Sequence, residues 1–235
     1  MQILVGTSGY SYKEWKGSFY PEKLKPADML RYYAERFTSV EINNTFYRMP
    51  KASMLEGWRQ QVPPSFLFVL KASQQITHRK RLKEAGEPLA YLLEAASALG
   101  EQLGPVLFQL PPYFKKDLPR LQGFLGLLPA GRAFAFEFRH ESWADDDVHA
   151  ALGERNAALV CADTEDSGED GAPIVSTADW GYLRLRRCDY TDAELAPWAD
   201  RIRTQSWRRA FVFFKHEDDR PLAWETIRRF KDALG

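Results

Sequence analysis

Glu41, Lys71, Gln109, Glu137, Asp163 and Arg184 share one property of position. Each stands at or near the C-terminal end of a short apolar run: SVEIN (39–43), FLFVLK (66–71), PVLFQL (105–110), AFAFEF (133–138), ALVCAD (158–163) and YLRLR (182–186). Carboxylates, a lysine, an amide and arginines gathered at one place can move protons and hold an anion. Glu137 and Glu41 are the acid/base candidates, with Asp163 assisting. Arg139, Arg184, Arg186 and Lys71 are the anion ligands, and Asn43 and Gln109 would orient hydroxyls. Lys71 also admits a second chemistry, attack on a carbonyl to form a Schiff base. Against that, a lysine inside a charged cluster is more often an ion-pair partner.

These residues reach one place only if the strands that carry them converge. Eight apolar runs recur along the chain, the first being QILVG (2–6) and the last AFVFF (210–214). Helix-favouring segments separate them at 28–36, 88–102, 117–128, 145–153, 192–203 and 221–234, with Gly104 read as the stop of the second. Strands alternating with helices predict parallel βαβ units, and eight of them predict a single closed (β/α)8 TIM-type barrel, α/β in class, over residues 1–235. No dinucleotide fingerprint or phosphate-binding glycine loop follows any strand, which argues against a Rossmann fold or a nucleotide hydrolase.

Barrel strands alternate inward and outward side chains. That period sends Phe134, Phe136 and Phe138 toward the helices and leaves Ala133, Ala135, Glu137 and Arg139 inward. It likewise places Glu41 with Asn43, and Arg184 with Arg186. Asp163 falls with Leu159 and Cys161 and is counted here among the polar strand ends of the mouth. Active sites of such barrels sit at this end. The competing reading is a self-satisfied ion-pair network that merely closes the barrel top.

Composition narrows the partners. Lys+Arg and Asp+Glu number 32 each, so no bulk charge points to nucleic acid, membrane or an acidic partner. Cys161 and Cys188 have no metal-ligand spacing and fit reduced thiols. MQILVGTSGY lacks the features of a signal peptide, and no apolar run approaches the ~20 residues of a membrane span. A soluble, cytoplasmic protein is expected, with no membrane partner. His78, His140 and His216 lie just past the third, fifth and eighth strands, but they form no HxH or HExxH pair. Cations in the same mouth would repel a metal. No metal or other cofactor is therefore expected, a divalent ion being the unfavoured option.

Tyr10, Tyr12, Trp15, Phe19 and Tyr20 crowd the loop after the first strand. Tyr12 and Trp15 are the candidates for stacking a sugar or a base, unless the loop is a hydrophobic plug. Two functions follow. The first is a hydrolase or isomerase acting on a phosphorylated sugar or a nucleic-acid phosphodiester. The second is a non-catalytic barrel that binds nucleic acid or a protein partner through the aromatic loop.

Six blocks carry a resemblance: VGTSGYSYKEWKGSFYP (5–21), SVEINNTFYR (39–48), FVLKASQQITH (68–78), LGPVLFQLPP (103–112), FEFRHESW (136–143) and TADWGYLRLR (177–186). In order and at similar spacing over nearly the whole chain, they resemble the domain of unknown function 72, or YecE-like, family. The resemblance implies a TIM-type barrel and little about chemistry. Many members carry an Asn-rich segment after the last strand, where this chain reads FFKHEDD (213–219). Lys215 and His216 in place of neutral amides imply a different ligand preference on that side.

Overall fold

Alternating β-branched and aromatic residues produce eight strands in the computed structural model, which describes residues 1–168, 171–215 and 223–235. They are β1 (Gln2–Thr7), β2 (Ser39–Ile42), β3 (Leu67–Lys71), β4 (Leu103–Gln109), β5 (Phe134–Glu137), β6 (Ala158–Asp163), β7 (Trp180–Leu185) and β8 (Arg209–Phe214). All neighbours pair in parallel, in the order β1-β8-β7-β6-β5-β4-β3-β2. The barrel closes between β1 and β2 by a single bridge, Ser8 to Glu41. The expected (β/α)8 barrel is therefore what forms.

The β1–β2 seam lacks a ladder and is tied by a side chain instead. The Tyr33 hydroxyl accepts from the Thr7 amide at 2.8 Å and donates to the Ser39 carbonyl at 3.1 Å. Gly6 permits this approach, since a Cβ there would lie 2.0 Å from the Ser39 carbonyl oxygen.

Parity decides what fills the barrel. Leu4, Leu67, Val69, Leu107, Ala135, Val160, Tyr182, Phe211 and Phe213 pack along the axis. Residues of the opposite parity, such as Val40, Phe108, Phe136 and Val212, pack against the helices. These are α1 (Met29–Ala34), α2 (Asn44–Tyr47), α3 (Ala52–Arg59), α4 (Gly86–Ala96), α5 (Leu118–Leu125), α6 (Asp146–Gly153), α7 (Asp192–Arg203) and α8 (Ala223–Leu234).

Two expectations are corrected. The helix expected over 88–102 ends at Ala96 and tightens into a 3-10 segment, Ser97–Gln102, in which Gly100 takes φ 56°. Gly100 rather than Gly104 is therefore the break. Gly104 lies inside β4, where a Cβ would sit 3.2 Å from the Phe68 carbonyl oxygen. The helix Ala52–Arg59, not among the expected segments, rests on the core through only Leu55 and the partly buried Trp58. Periodicity could not reveal it.

Candidate functional site

Glu41, Lys71, Gln109, Glu137 and Arg184 end inward-facing rows on β2, β3, β4, β5 and β7, and the structure brings them together. Their backbones are in register: Gln109 pairs with Glu137, and Lys71 with Leu107. Arg184 stands at the centre. Its Nη2 donates to Glu41 Oε1 at 2.9 Å, and its Nη1 donates to Glu137 Oε2. Glu137 Oε1 accepts from Gln109 Nε2 at 2.8 Å and from Arg139 Nε at 3.1 Å. Arg186 Nη1 stands 3.8 Å from that same oxygen. Glu41 Oε2 accepts from the Tyr182 hydroxyl at 2.6 Å, and Asn43 Nδ2 donates to Oε1 at 3.3 Å.

Burial would by itself raise both carboxyls, since it penalises the charged form. For Glu137 the guanidinium of Arg184, then those of Arg139 and Arg186, overcome it and hold the carboxyl at about 2. Glu41 is also lowered, burial being outweighed by Arg184 and by the Tyr182 hydroxyl. Arg184 is buried yet raised, because Glu137 and Glu41 favour its charge. Both carboxylates are ionised, and each of their four oxygens already accepts a hydrogen bond. Their geometry suits holding Arg184 better than giving up a proton.

Lys71 differs. Its ammonium lies over the Phe46 ring, 4.2 Å from the centroid, and makes no ion pair among the described residues. Burial first, and then Arg184, lower it to about 8, against the opposing pull of Glu41 and Glu137. His78 packs edge-on against the same ring at 4.9 Å and meets the Thr77 hydroxyl through Nδ1 at 2.9 Å. Burial, Lys71 and Arg139 all lower its pKa, so its imidazole is neutral at pH 7. A π-helical turn, Gln75–Arg79, directly after β3 places it there.

This arrangement can be set beside known proteins. The family described as "Protein of unknown function DUF72" matches residues 4–235. The chain belongs to the DUF72 family. UPF0759 protein YecE of Escherichia coli K12 is 34% identical over 141 residues, 57% of this chain and 52% of that protein. UPF0759 protein YunF of Bacillus subtilis 168 is 29% identical over 153 residues, 60% of this chain and 52% of that protein. The chain thus spans about half the length of these relatives. The crystal structure of a DUF72 protein from Thermotoga maritima MSB8 superposes with TM-score 0.82 at 27% identity, covering 98% of this chain and 97% of that one. A DUF72 protein from Enterococcus faecalis V583 has TM-score 0.79 at 20% identity, covering 99% and 97%, which bears on the fold alone.

Other expected residues of this DUF72 protein fall elsewhere. Asp163 does not join the mouth. On β6 the inward row is Ala158, Val160 and Ala162, so Asp163 points with Leu159 and Cys161 toward the helix layer. There it ion-pairs with Arg187 Nε at 2.8 Å and accepts from the Tyr190 hydroxyl at 2.7 Å and the Ala172 amide at 3.0 Å. It pins the chain that follows β6 and β7. Its shared parity with the apolar Leu159 and Cys161 is what takes it away from the mouth.

The aromatic loop is a plug. Trp15 is 0% exposed and packs on Tyr12 at 5.0 Å and on Phe19 at 5.3 Å, while the Tyr20 hydroxyl donates to the Tyr10 carbonyl at 2.6 Å. Trp15 cannot stack on a ligand from there. Tyr12 is half-buried, its hydroxyl donating to the Ser8 carbonyl, and it lines a recess of ≈ 90 Å³ with Asn43, Asn44 and Trp58. Trp143 is buried as well, stacked on Phe138 at 4.5 Å.

His140 accepts from the Ser142 amide through Nδ1 at 3.1 Å and so caps the turn Glu141–Trp143. His216 lies outside the described residues. Among the described residues, no three His, Cys, Asp or Glu side chains gather in a way that could hold a metal. Sequence reasoning missed Tyr182 as a mouth residue. Its signal was present, since it shares strand parity with Arg184.

Proposed function

We propose that the mouth of this barrel binds a phosphorylated small molecule, a sugar phosphate, and acts on it by acid–base chemistry as a hydrolase or isomerase. The carrying observation is the charge balance. Lys71, Arg139, Arg184 and Arg186 face two carboxylates, and both carboxylates are bound to Arg184. Among the described residues, Lys71 has no carboxylate partner, and Arg139 and Arg186 pair with Glu137, with side chains 36% and 19% exposed. Guanidinium groups of this kind chelate phosphate through paired N–H donors. Glu41 and Glu137 then serve as positioning residues for Arg184. Proton transfer falls to Lys71, lowered by burial to about 8, and to His78, whose pKa is lowered by burial and by Lys71. Neither cysteine is in a disulfide, which fits the cytoplasm as the compartment. Among the described residues no helix is long and apolar enough to cross a membrane.

Calorimetric titration with glucose 6-phosphate and with glucose tests the proposal. Binding should require the phosphate, and Arg139→Gln and Arg186→Gln should each weaken it by about tenfold, the cost of one charged hydrogen bond. Equal heats for both sugars, or affinity unchanged in the double variant, would overturn it.

A further inference from the structure

We propose that Lys71 is a nucleophile that forms an imine with the carbonyl carbon of a phosphorylated aldose or ketose. The inference rests on the anion-binding reading of the mouth and adds the covalent step. Its basis is a geometry unlike that of the other cations there. Arg184, Arg139 and Arg186 are all engaged by Glu137, whereas Lys71 is held by packing. The Lys71 stem runs up the inward row of β3 above Leu67 and Val69, and its nitrogen rests on the face of Phe46. The residue keeps 9% exposure at the C-terminal end of β3. Burial first, and then the guanidinium of Arg184, disfavour its positive charge, which leaves part of the amine neutral near pH 8. A desolvated lysine beside other cations is the arrangement that makes an amine nucleophilic.

The step balances without a further reactant. His78 first takes one proton from the Lys71 ammonium. The neutral nitrogen attacks the carbonyl carbon, and the carbonyl π electrons pass to oxygen, which takes that proton from His78. The amine proton lost in forming the carbinolamine goes to His78, whose ring shares the Phe46 surface. His78 then returns it to the hydroxyl, the C–O bond breaks, and water leaves as the nitrogen lone pair forms C=N. Arg139 and Arg186 hold the phosphate meanwhile. The resulting iminium withdraws electrons from the adjacent carbon, the demand common to isomerisation and to carbon–carbon cleavage.

Reductive trapping tests this on the full chain. The protein is incubated with dihydroxyacetone phosphate, or with dihydroxyacetone, in the presence of borohydride, and the adduct is located by peptide mass mapping. A stable adduct at Lys71, formed at least tenfold faster than at exposed lysines such as Lys115 and favoured by the phosphate, is expected. Trapping at Lys71 with equal efficiency by both ketones would keep the imine and remove the phosphate reading. Phosphate-dependent binding by calorimetry without trapping at Lys71 would remove the imine and keep the phosphate reading. Labelling spread evenly over surface lysines also overturns it. None of these outcomes depends on a variant that must fold.

Discussion

Lys71 is the residue at which function and stability pull apart. Its ammonium is buried without an ion pair among the described residues, and its pKa falls from the usual lysine value to about 8. Between about pH 8 and the ordinary lysine value, the unfolded chain therefore binds more protons than the folded one. Stability attributable to this group rises with pH across that window, and the cost is complete at pH 7. Lys71→Met should accordingly raise the melting temperature at pH 7 by about 2–6 °C, from a gain of roughly 1–2 kcal/mol. The gap to wild type should narrow from pH 8 upward. Differential scanning calorimetry across pH 7–10 checks this, and a variant that melts lower at pH 7 would show that attraction to Glu41, Glu137 and Phe46 outweighs burial. Asp163 makes the contrasting case: it is a buried carboxylate held by Arg187 and Tyr190 outside the barrel, where it orders loops.

The element that most needs its tertiary neighbours is the seam between β1 and β2. Every other strand pair is joined by a run of ladder bonds, but here Tyr33 of α1 supplies the connection between Thr7 and Ser39. Tyr33→Phe leaves the Thr7 amide buried without an acceptor, at a cost of roughly 1–3 kcal/mol. The expected drop in melting temperature is about 2–4 °C per kcal/mol. Faster hydrogen exchange should appear at Thr7 and along β2, and uniform exchange across all strands would refute the seam as the weak point. The strands and all six expected helical segments, that over 88–102 with a different end, were readable in the sequence because their apolar periods are strong, as in AFAFEF and in the chain around Leu118–Leu125. Ala52–Arg59 was not, since Leu55 and Trp58 alone set too short a period.

On the scale of the whole molecule, the mouth is tied across the barrel by one cationic centre. Arg184 on β7 reaches Glu41 on β2 and Glu137 on β5, so a charge change there loosens three strands at once. Both carboxyls have folded-state pKa values below those of the unfolded chain, Glu137 at about 2. The unfolded chain then binds more protons below the ordinary glutamate value of about 4.3. The stabilisation is complete above that pH and is lost as pH falls toward 2. Melting temperature should fall most steeply between about pH 4 and 2, in one cooperative transition followed by circular dichroism. A level profile down to pH 3 would mean that the buried pairs add nothing net, as buried ion pairs sometimes do.

Parity along each strand was enough to place Glu41, Lys71, Gln109, Glu137 and Arg184 on one inner face, because side chains alternate strictly about a pleated backbone. The family blocks from VGTSGYSYKEW to TADWGYLRLR were likewise legible without coordinates. Partnership was not legible, since it depends on distances between strands far apart in the chain. Glu41 and Arg184 are separated by 143 residues, yet meet at 2.9 Å. Packing settled that both carboxylates hold one guanidinium, that Trp15 is core rather than a stacking surface, and that Lys71 packs on Phe46 with no ion pair among the described residues.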